Sequence, residues 1–379
     1  MRIAHVITSL QTGGAETVLY RLLRHGHESA SYDHGRNHTP LVISLKGKGP
    51  IGAKIEDLGI SVRAMHAHER PIAAIAALHR TLDDFNSDLV HSWLYHADLL
   101  GGISARILGY PLLWGLHIES PKSPRLKWTT RLVARVNALS SGWIPDHIVS
   151  CSRTAADAHV RLGYANDRMS VIPNGFELDE FRPDPERRAS FREDAGIPAD
   201  APVVGKVARY HPAKDHQNFL RAAVHAQNKR PDLHFVLAGT DVVPGELLFC
   251  EYEQRLAPGT LHLLGRRDDI PRLMAALDVA TLSSETEAFP MVLGEAMACG
   301  VPCVATDVGD VAYLLGDTGI VVPPAAPKAL ADGWLQLVEA PEKREELGRK
   351  ARRRVQENFS QEAVIEQYEL VYERLTCAD

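Results

Sequence analysis

No stretch of this sequence is apolar for anything near the roughly 20 residues that a membrane-spanning helix needs. Cysteine is scarce: Cys151, Cys250, Cys299, Cys303 and Cys377 are odd in number and scattered, and Cys299 and Cys303 lack a second pair to complete a metal site. Such residues read as small apolar side chains of a reducing, cytoplasmic protein. The opening MRIAHVITSL runs straight into a strand pattern, so no signal peptide is expected there. No G-x-G-x-x-G follows that strand, and the second strand pattern, LVISLKGKG, carries Lys46 where a ribose-binding acid is wanted. A nicotinamide dinucleotide is therefore disfavoured. Asp-x-Asp triplets are absent, and so is any collagen-like, repeat or disorder signature. Basic residues are outnumbered as well. A net charge of −6 argues against a dedicated nucleic-acid binder.

What is present is the composition of a globular protein, 45% hydrophobic and 24% charged, over 379 residues. That length exceeds one ordinary core and predicts two domains. Charge divides unevenly: residues 1–180 carry 19 Lys+Arg against 17 Asp+Glu, and the remainder 23 against 31. Apolar β-branched runs recur along the chain. RIAHVITSL, LVISL, DLVHSW, PLLWGLH, HIVSCS and MSVIPN fill the first half; PVVGKVAR, HFVLAG, LHLLG, VATLSS, PCVAT and GIVVPP fill the second. Helical patterns such as Glu16–Leu23 and Gln217–Gln227 lie between them. Continuous apolar strands alternating with helices predict parallel sheets covered on both faces. The expected fold class is α/β, with two Rossmann-like domains facing across a cleft. The boundary is expected in the polar, proline-bearing stretch 173–202.

Ligands of such sheets bind at the carboxyl ends of strands, and candidate residues collect there. Gly13 and Gly14 follow the first strand and precede a helix, where free N–H groups favour an anion. His117 closes PLLWGLH. Arg209 and Lys214 follow PVVGKVAR, a forked cation and a point charge suited to a diphosphate. The pairs His25/His27 and His66/His68 read as surface or loop positions, and no metal is assigned to them.

TEAFPMVLGEAMACGVP sets Glu287 and Glu295 eight residues apart. Pro290 is placed as the first helical residue and Gly300 as the end of that helix. The N–H groups from Ala288 to Leu293 face the turn, Pro290 excepted. Two carboxylates for hydroxyls around a helix N-terminus for phosphate describe a nucleotide-sugar site. Glu285 competes with Glu287 as the first acid; the Phe-Pro register favours Glu287.

These residues resemble the retaining glycosyltransferases of glycosyltransferase family 4, of GT-B fold. The family's E-x7-E motif stands here as Glu287-Ala-Phe-Pro-Met-Val-Leu-Gly-Glu295, and its G-R-L-x-x-x-K-G element as Val207-Ala-Arg209-Tyr-His-Pro-Ala-Lys214-Asp. Gly13-Gly14, the IPNG at Ile172–Gly175 and LLGRRDD at Leu263–Asp269 add to the likeness, which covers nearly the whole chain. The resemblance implies an acceptor domain over 1–180, a donor domain over 181–360, and a last helix, within 361–379, that returns to the first domain. Arg209 and Lys214 would neutralise the diphosphate without a metal, and no cofactor is implied. Glu295 would hold ribose hydroxyls, and Glu287 and His117 would face the transferred sugar. Gly13 and Gly14 would approach the phosphates; Ala288, Phe289, Pro290, Met291, Val292 and Leu293 would give backbone contacts. Two positions depart from the family: Ala288 and Asp215 replace glycines.

The implied partners are a nucleotide-sugar donor, with UDP preferred, and a saccharide or lipid-linked saccharide acceptor of cell-surface polysaccharide synthesis. Lys122–Trp143 mixes Lys122, Arg125, Lys127, Arg131 and Arg135 with Trp128, a pattern suited to the inner face of an anionic membrane. The alternatives are a glycosidase, for which Arg209 and Lys214 have no use, a nucleotide-sugar epimerase, and a non-catalytic nucleotide-sugar sensor.

Overall fold

The computed structural model describes residues 1–29, 38–67, 69–123 and 126–377. His68, Arg125 and the side chain of His27 lie outside the described residues. The chain forms two units: Met1–Gly175 together with the segment from Glu362, and Phe176–Gln361.

The strands of the first unit are β1 (Arg2–Ile7), β2 (Thr39–Ser44), β3 (Ser61–Ala64), β4 (Leu89–Trp93), β5 (Leu112–Leu116), β6 (His147–Ser150) and β7 (Met169–Val171). They pair in the order β3-β2-β1-β4-β5-β6-β7. The second unit holds β8 (Val203–Val207), β9 (His234–Ala238), β10 (Leu261–Leu263), β11 (Val279–Leu282), β12 (Cys303–Thr306) and β13 (Ile320–Val322). Their order is β10-β9-β8-β11-β12-β13. Every pairing is parallel. Both units are thus Rossmann-like, and the α/β expectation holds.

The strands expected from apolar runs all form. β3 is the exception in the other direction: SVRA buries only Val62, at a sheet edge, so it carries no apolar run to detect. Parallel pairing requires crossovers, and helices supply them. Those that frame the argument are α1 (Gly14–Ser29), α2 (Tyr95–Leu108) and α3 (Trp128–Ser140) in the first unit, then α4 (His216–Gln227) and α5 (Met291–Ala298) in the second. The last, α6 (Gln361–Thr376), packs from Glu362 onward in the first unit.

Alternation along the strands builds a core on each face of the second sheet. Val203, Ala280 and Leu282 meet Leu293, Ala296 and Met297 of α5 on one side. On the other, Val204 and Val279 meet Phe219 and Leu220 of α4. In the first unit β4 is wholly buried although it reads LVHSW. Two of its polar side chains are met from the neighbouring helices: Tyr372 of α6 meets His91 Nδ1 at 2.9 Å, and Ser92 Oγ donates to Asp98 of α2 at 2.7 Å.

Strand order reverses between β1 and β4 in one sheet and between β8 and β11 in the other. At such a reversal the loops leaving the carboxyl ends diverge and open a crevice for ligands.

Candidate active site

The turn after β8 and the turn after β11 meet at the second reversal. Lys214 ends a single 3-10 turn, Pro212–Lys214, and its Nζ donates to Glu287 Oε1 at 2.5 Å. Ser284 Oγ, at the end of β11, donates to the same oxygen at 2.7 Å. Glu287 Oε2 takes no bond from the described residues. Thr306 Oγ1 of β12 holds the Ser284 carbonyl at 2.7 Å, and Glu285 N donates to the Ala213 carbonyl at 2.9 Å. The two loops are therefore tied through their backbones, and Glu287, not Glu285, reaches the lysine. Arg209 is exposed beside them and has no ion pair among the described residues. A fixed lysine and an unpaired arginine thus follow the carboxyl end of β8, and their chemistry suits an anion.

The two departures from the family's glycines resolve differently. Asp215 adopts a left-handed backbone, φ 41°, which glycine would take without strain. Its side chain repays this by capping α4: Oδ1 accepts from Asn218 N at 3.0 Å. Ala288 does not adopt positive φ, so its side chain is no obstacle. The tight point lies instead at Gly309, φ 56°, where a Cβ would stand 2.1 Å from the Glu287 carbonyl oxygen. The Ala288 carbonyl accepts from Asp310 N at 3.1 Å, so the loop Val308–Asp310 fixes the backbone that carries Glu287.

Helix α5 starts one residue later than expected. Pro290 is its N-cap, and Met291 its first residue. Leu293 N bonds the Pro290 carbonyl at 3.3 Å, so its N–H is already engaged. Phe289 and Leu293 point into the core; Phe289 stacks with Phe176 at 6.2 Å. Met291 and Val292 are half-buried. Gly294 is a packing glycine, since a Cβ there would meet the Phe176 ring at 2.0 Å. Glu295 is buried one turn into α5. Burial also pushes the thiols of Cys299 and Cys303 up, the former to about 12, which leaves them unreactive.

In the first unit Gly13 and Gly14 precede and open α1, but the space at Gly13 is taken. A Cβ there would lie 2.4 Å from Glu16 Oε2. Ser9 Oγ donates to Glu16 Oε1 at 3.1 Å, and burial raises the Glu16 carboxyl above its usual range. A side chain that the sequence reading passed over thus occupies the helix start; the GGAE run was the available signal. Nothing lies within 4 Å of a Cβ at Gly14.

His117 follows β5 and stacks on Trp93, ring centroids 4.9 Å apart, and Trp93 stacks on His91 at 4.3 Å. Burial lowers His117 to about 4, so its imidazole is neutral at physiological pH. Its Nε2 is buried and has no partner among the described residues. Among the described residues no three metal-capable side chains converge, and no helix is long and apolar enough to cross a membrane.

Comparison with known proteins covers both units. Residues 12–180 match the model for Glycosyltransferase Family 4, and residues 187–354 that for Glycosyl transferases group 1. A putative glycosyltransferase, EpsF of Bacillus subtilis, is 27% identical over 322 residues, covering 81% of this chain and 79% of the relative. The UDP-Gal:alpha-D-GlcNAc-diphosphoundecaprenol alpha-1,3-galactosyltransferase of Escherichia coli is 26% identical, covering 70% of this chain and 71% of the relative. The solved structure of Anabaena HepE in complex with UDP-glucose superposes with a TM-score of 0.85 at 23% identity, over 99% of this chain and 100% of that one. Both units, their order and their sheets place the chain among the family 4, group 1 glycosyl transferases: it is a glycosyltransferase of GT-B fold.

Proposed function

We propose that the chain is a retaining glycosyltransferase that moves a hexose from a UDP-sugar to a saccharide carried on a lipid, in the synthesis of a cell-surface polysaccharide. The observation that carries this reading is the Lys214–Glu287 pair at the joined carboxyl ends of β8 and β11, with Arg209 unpaired beside it. Lys214 and Arg209 meet the diphosphate, so its departure needs no metal and no cofactor. Glu287 Oε2 takes a hydroxyl of the transferred sugar, and Glu295 the ribose. Ala288, Pro290, Met291 and Val292 line the turn, and Gly13 and Gly14 are the first unit's candidates for phosphate contact. His117 is that unit's candidate for the sugar, through its unpartnered Nε2. In transfer the bond from anomeric carbon to diphosphate breaks, with its electron pair leaving on UDP. The acceptor oxygen bonds that carbon from the same face, which brings its hydroxyl proton to the departing phosphate oxygen.

The lipid side rests on α3. Trp128 is 71%, Leu139 84% and Trp143 66% exposed, and Lys122, Lys127, Arg131 and Arg135 are exposed around them. Helix α2 packs against α3 and leaves Ile103 and Ile107 exposed too. Apolar rings and aliphatics rimmed by cations suit peripheral contact with an anionic bilayer from the cytoplasmic side. That the E. coli relative's named substrate is a diphosphoundecaprenol saccharide supports the choice.

Calorimetry in EDTA against UDP-, GDP-, ADP- and dTDP-sugars tests the donor. UDP-sugars are expected to bind, with binding lost in Lys214→Ala and Glu295→Ala; silence with all four overturns the reading. Formation of an altered nucleotide-sugar without any acceptor would favour an epimerase instead.

A further inference from the structure

The second unit buries a lysine that this reading leaves unused. Lys206 stands inside the apolar strand β8 and is only 2% exposed. A buried ammonium is costly unless acceptors meet it. Here Nζ donates to the Lys214 carbonyl at 2.7 Å and to Ser283 Oγ at 2.8 Å. Ser283 Oγ in turn donates to the Asp215 carbonyl at 2.8 Å. Lys206 thus clasps the turn that carries Lys214 to the end of β11, the strand that leads to Glu287. The clasp uses two N–H bonds. A neutral amine can make both; an ammonium has a third to spare.

We propose that Lys206 is a positioning residue of the donor site, whose amine holds the Lys214 turn in place and gains a proton when the diphosphate of a nucleotide-sugar settles beside Lys214. The inference rests on the donor reading above. The charged groups around Nζ are Lys214, Glu287 and Asp215, with His216 at the start of α4. Burial drives Lys206 down to about 7, Lys214 adds to the fall, and Glu287 and Asp215 oppose it. His216 is lowered to about 3 by burial, then by Lys206, so it stays uncharged at neutral pH. In the empty site a partly neutral Lys206 relieves the crowding of cations. An arriving diphosphate adds negative charge beside Lys214, whose carbonyl Nζ holds, and the ammonium becomes the favoured form.

The sign follows from linkage. Donor binding draws protons onto the protein wherever free Lys206 is partly neutral, so affinity falls as pH rises through about 7, at most tenfold per pH unit. UDP-glucose suits the test, because its esterified diphosphate has no group titrating near neutral pH. Titrated calorimetrically at pH 7.5 in buffers of different ionisation enthalpy, wild-type protein should take up roughly three-quarters of a proton per ligand. Lys206→Gln, which keeps two N–H donors, should bind with no uptake and a flat pH profile from 6.5 to 8.5. Lys206→Arg should bind with its charge fixed and likewise take up none. Binding without uptake in the wild type overturns the inference even if neither variant folds, as does uptake unchanged in both variants. Absence of UDP-glucose binding instead overturns the UDP-sugar reading and takes this inference with it.

Discussion

The strands β8 and β11 carry a cation–carboxylate cluster at each end, and the two clusters are built to opposite specifications. At the amino ends, Asp278 accepts from Arg188 and Arg192 at 2.8 Å each and from Val203 N at 2.7 Å. Arg192, 3% exposed, spends its remaining donors on the carbonyls of Ala199, Ala201 and Ala276. Each nitrogen of the Arg192 guanidinium has an acceptor. At the carboxyl ends Lys214 is 23% exposed and paired with one carboxylate oxygen, Glu287 keeps Oε2 free, and Arg209 faces solvent. A saturated cluster holds strands together. An unsaturated one, at the end where the loops diverge, keeps polar atoms to offer, which is what the proposed donor site requires.

Substitutions should separate the two. Asp278→Ala leaves the buried Arg192 and the half-buried Arg188 without their carboxylate and should lower unfolding stability by about 3–5 kcal/mol in urea melts; specific activity per folded molecule should hold. Lys214→Met should do the reverse, lowering kcat by about 10²–10³-fold with the melting temperature nearly unmoved. If Lys214→Met unfolds the protein as Asp278→Ala does, the carboxyl-end pair is structural after all. Gly294→Ala drives a methyl into Phe176 beneath α5 and should cost about 1–3 kcal/mol by overpacking, again read from urea midpoints.

Acid should separate the histidines lowered by burial, which include His216 and His262 of the second unit at about 3 and 4, from the Asp278 cluster. His5, His117 and His159 in the first unit are lowered to about 3, 4 and 4 by burial. Each has a folded pKa below its unfolded value, so the stability it contributes is present above about 6.5 and is lost as pH falls toward 4. Burial raises Asp278, but Arg188 and Arg192 outweigh it and hold the carboxyl below its usual range, so its cluster fails only in stronger acid. Urea midpoints should therefore slide from pH 6.5 to 4 before a second loss sets in. The smallest effect belongs to Asp215. Asp215→Ala loses the α4 cap and should cost about 1 kcal/mol, whereas Asp215→Gly, at ease with positive φ, should cost a few tenths.

Much of this arrangement was legible in the sequence because it rests on local signals. Apolar runs gave twelve of the strands, as PVVGKVAR gave β8 and VATLSS gave β11. Phe-Pro before an apolar run placed the start of α5 to within one residue, and Gly300 its end. The residues passed over act at a distance or against type. Glu16 folds back on Gly13, Gly309 supports a carbonyl 22 residues earlier in the chain, and Lys206 hides in a strand whose pattern reads as core. Gly294 is needed only because Phe176 lies against it.

By itself the sequence determined the fold class and the loops on which the chemistry stands, because hydrophobic periodicity and turn residues act over a few neighbours at a time. Only the tertiary structure decided which charges are spent and which are left open. Arg192 and Arg209 are the same residue in the sequence. One is buried with acceptors for its guanidinium and the other stands exposed beside the Lys214–Glu287 pair, because burial and hydrogen-bond partners come from strands and helices distant in the chain.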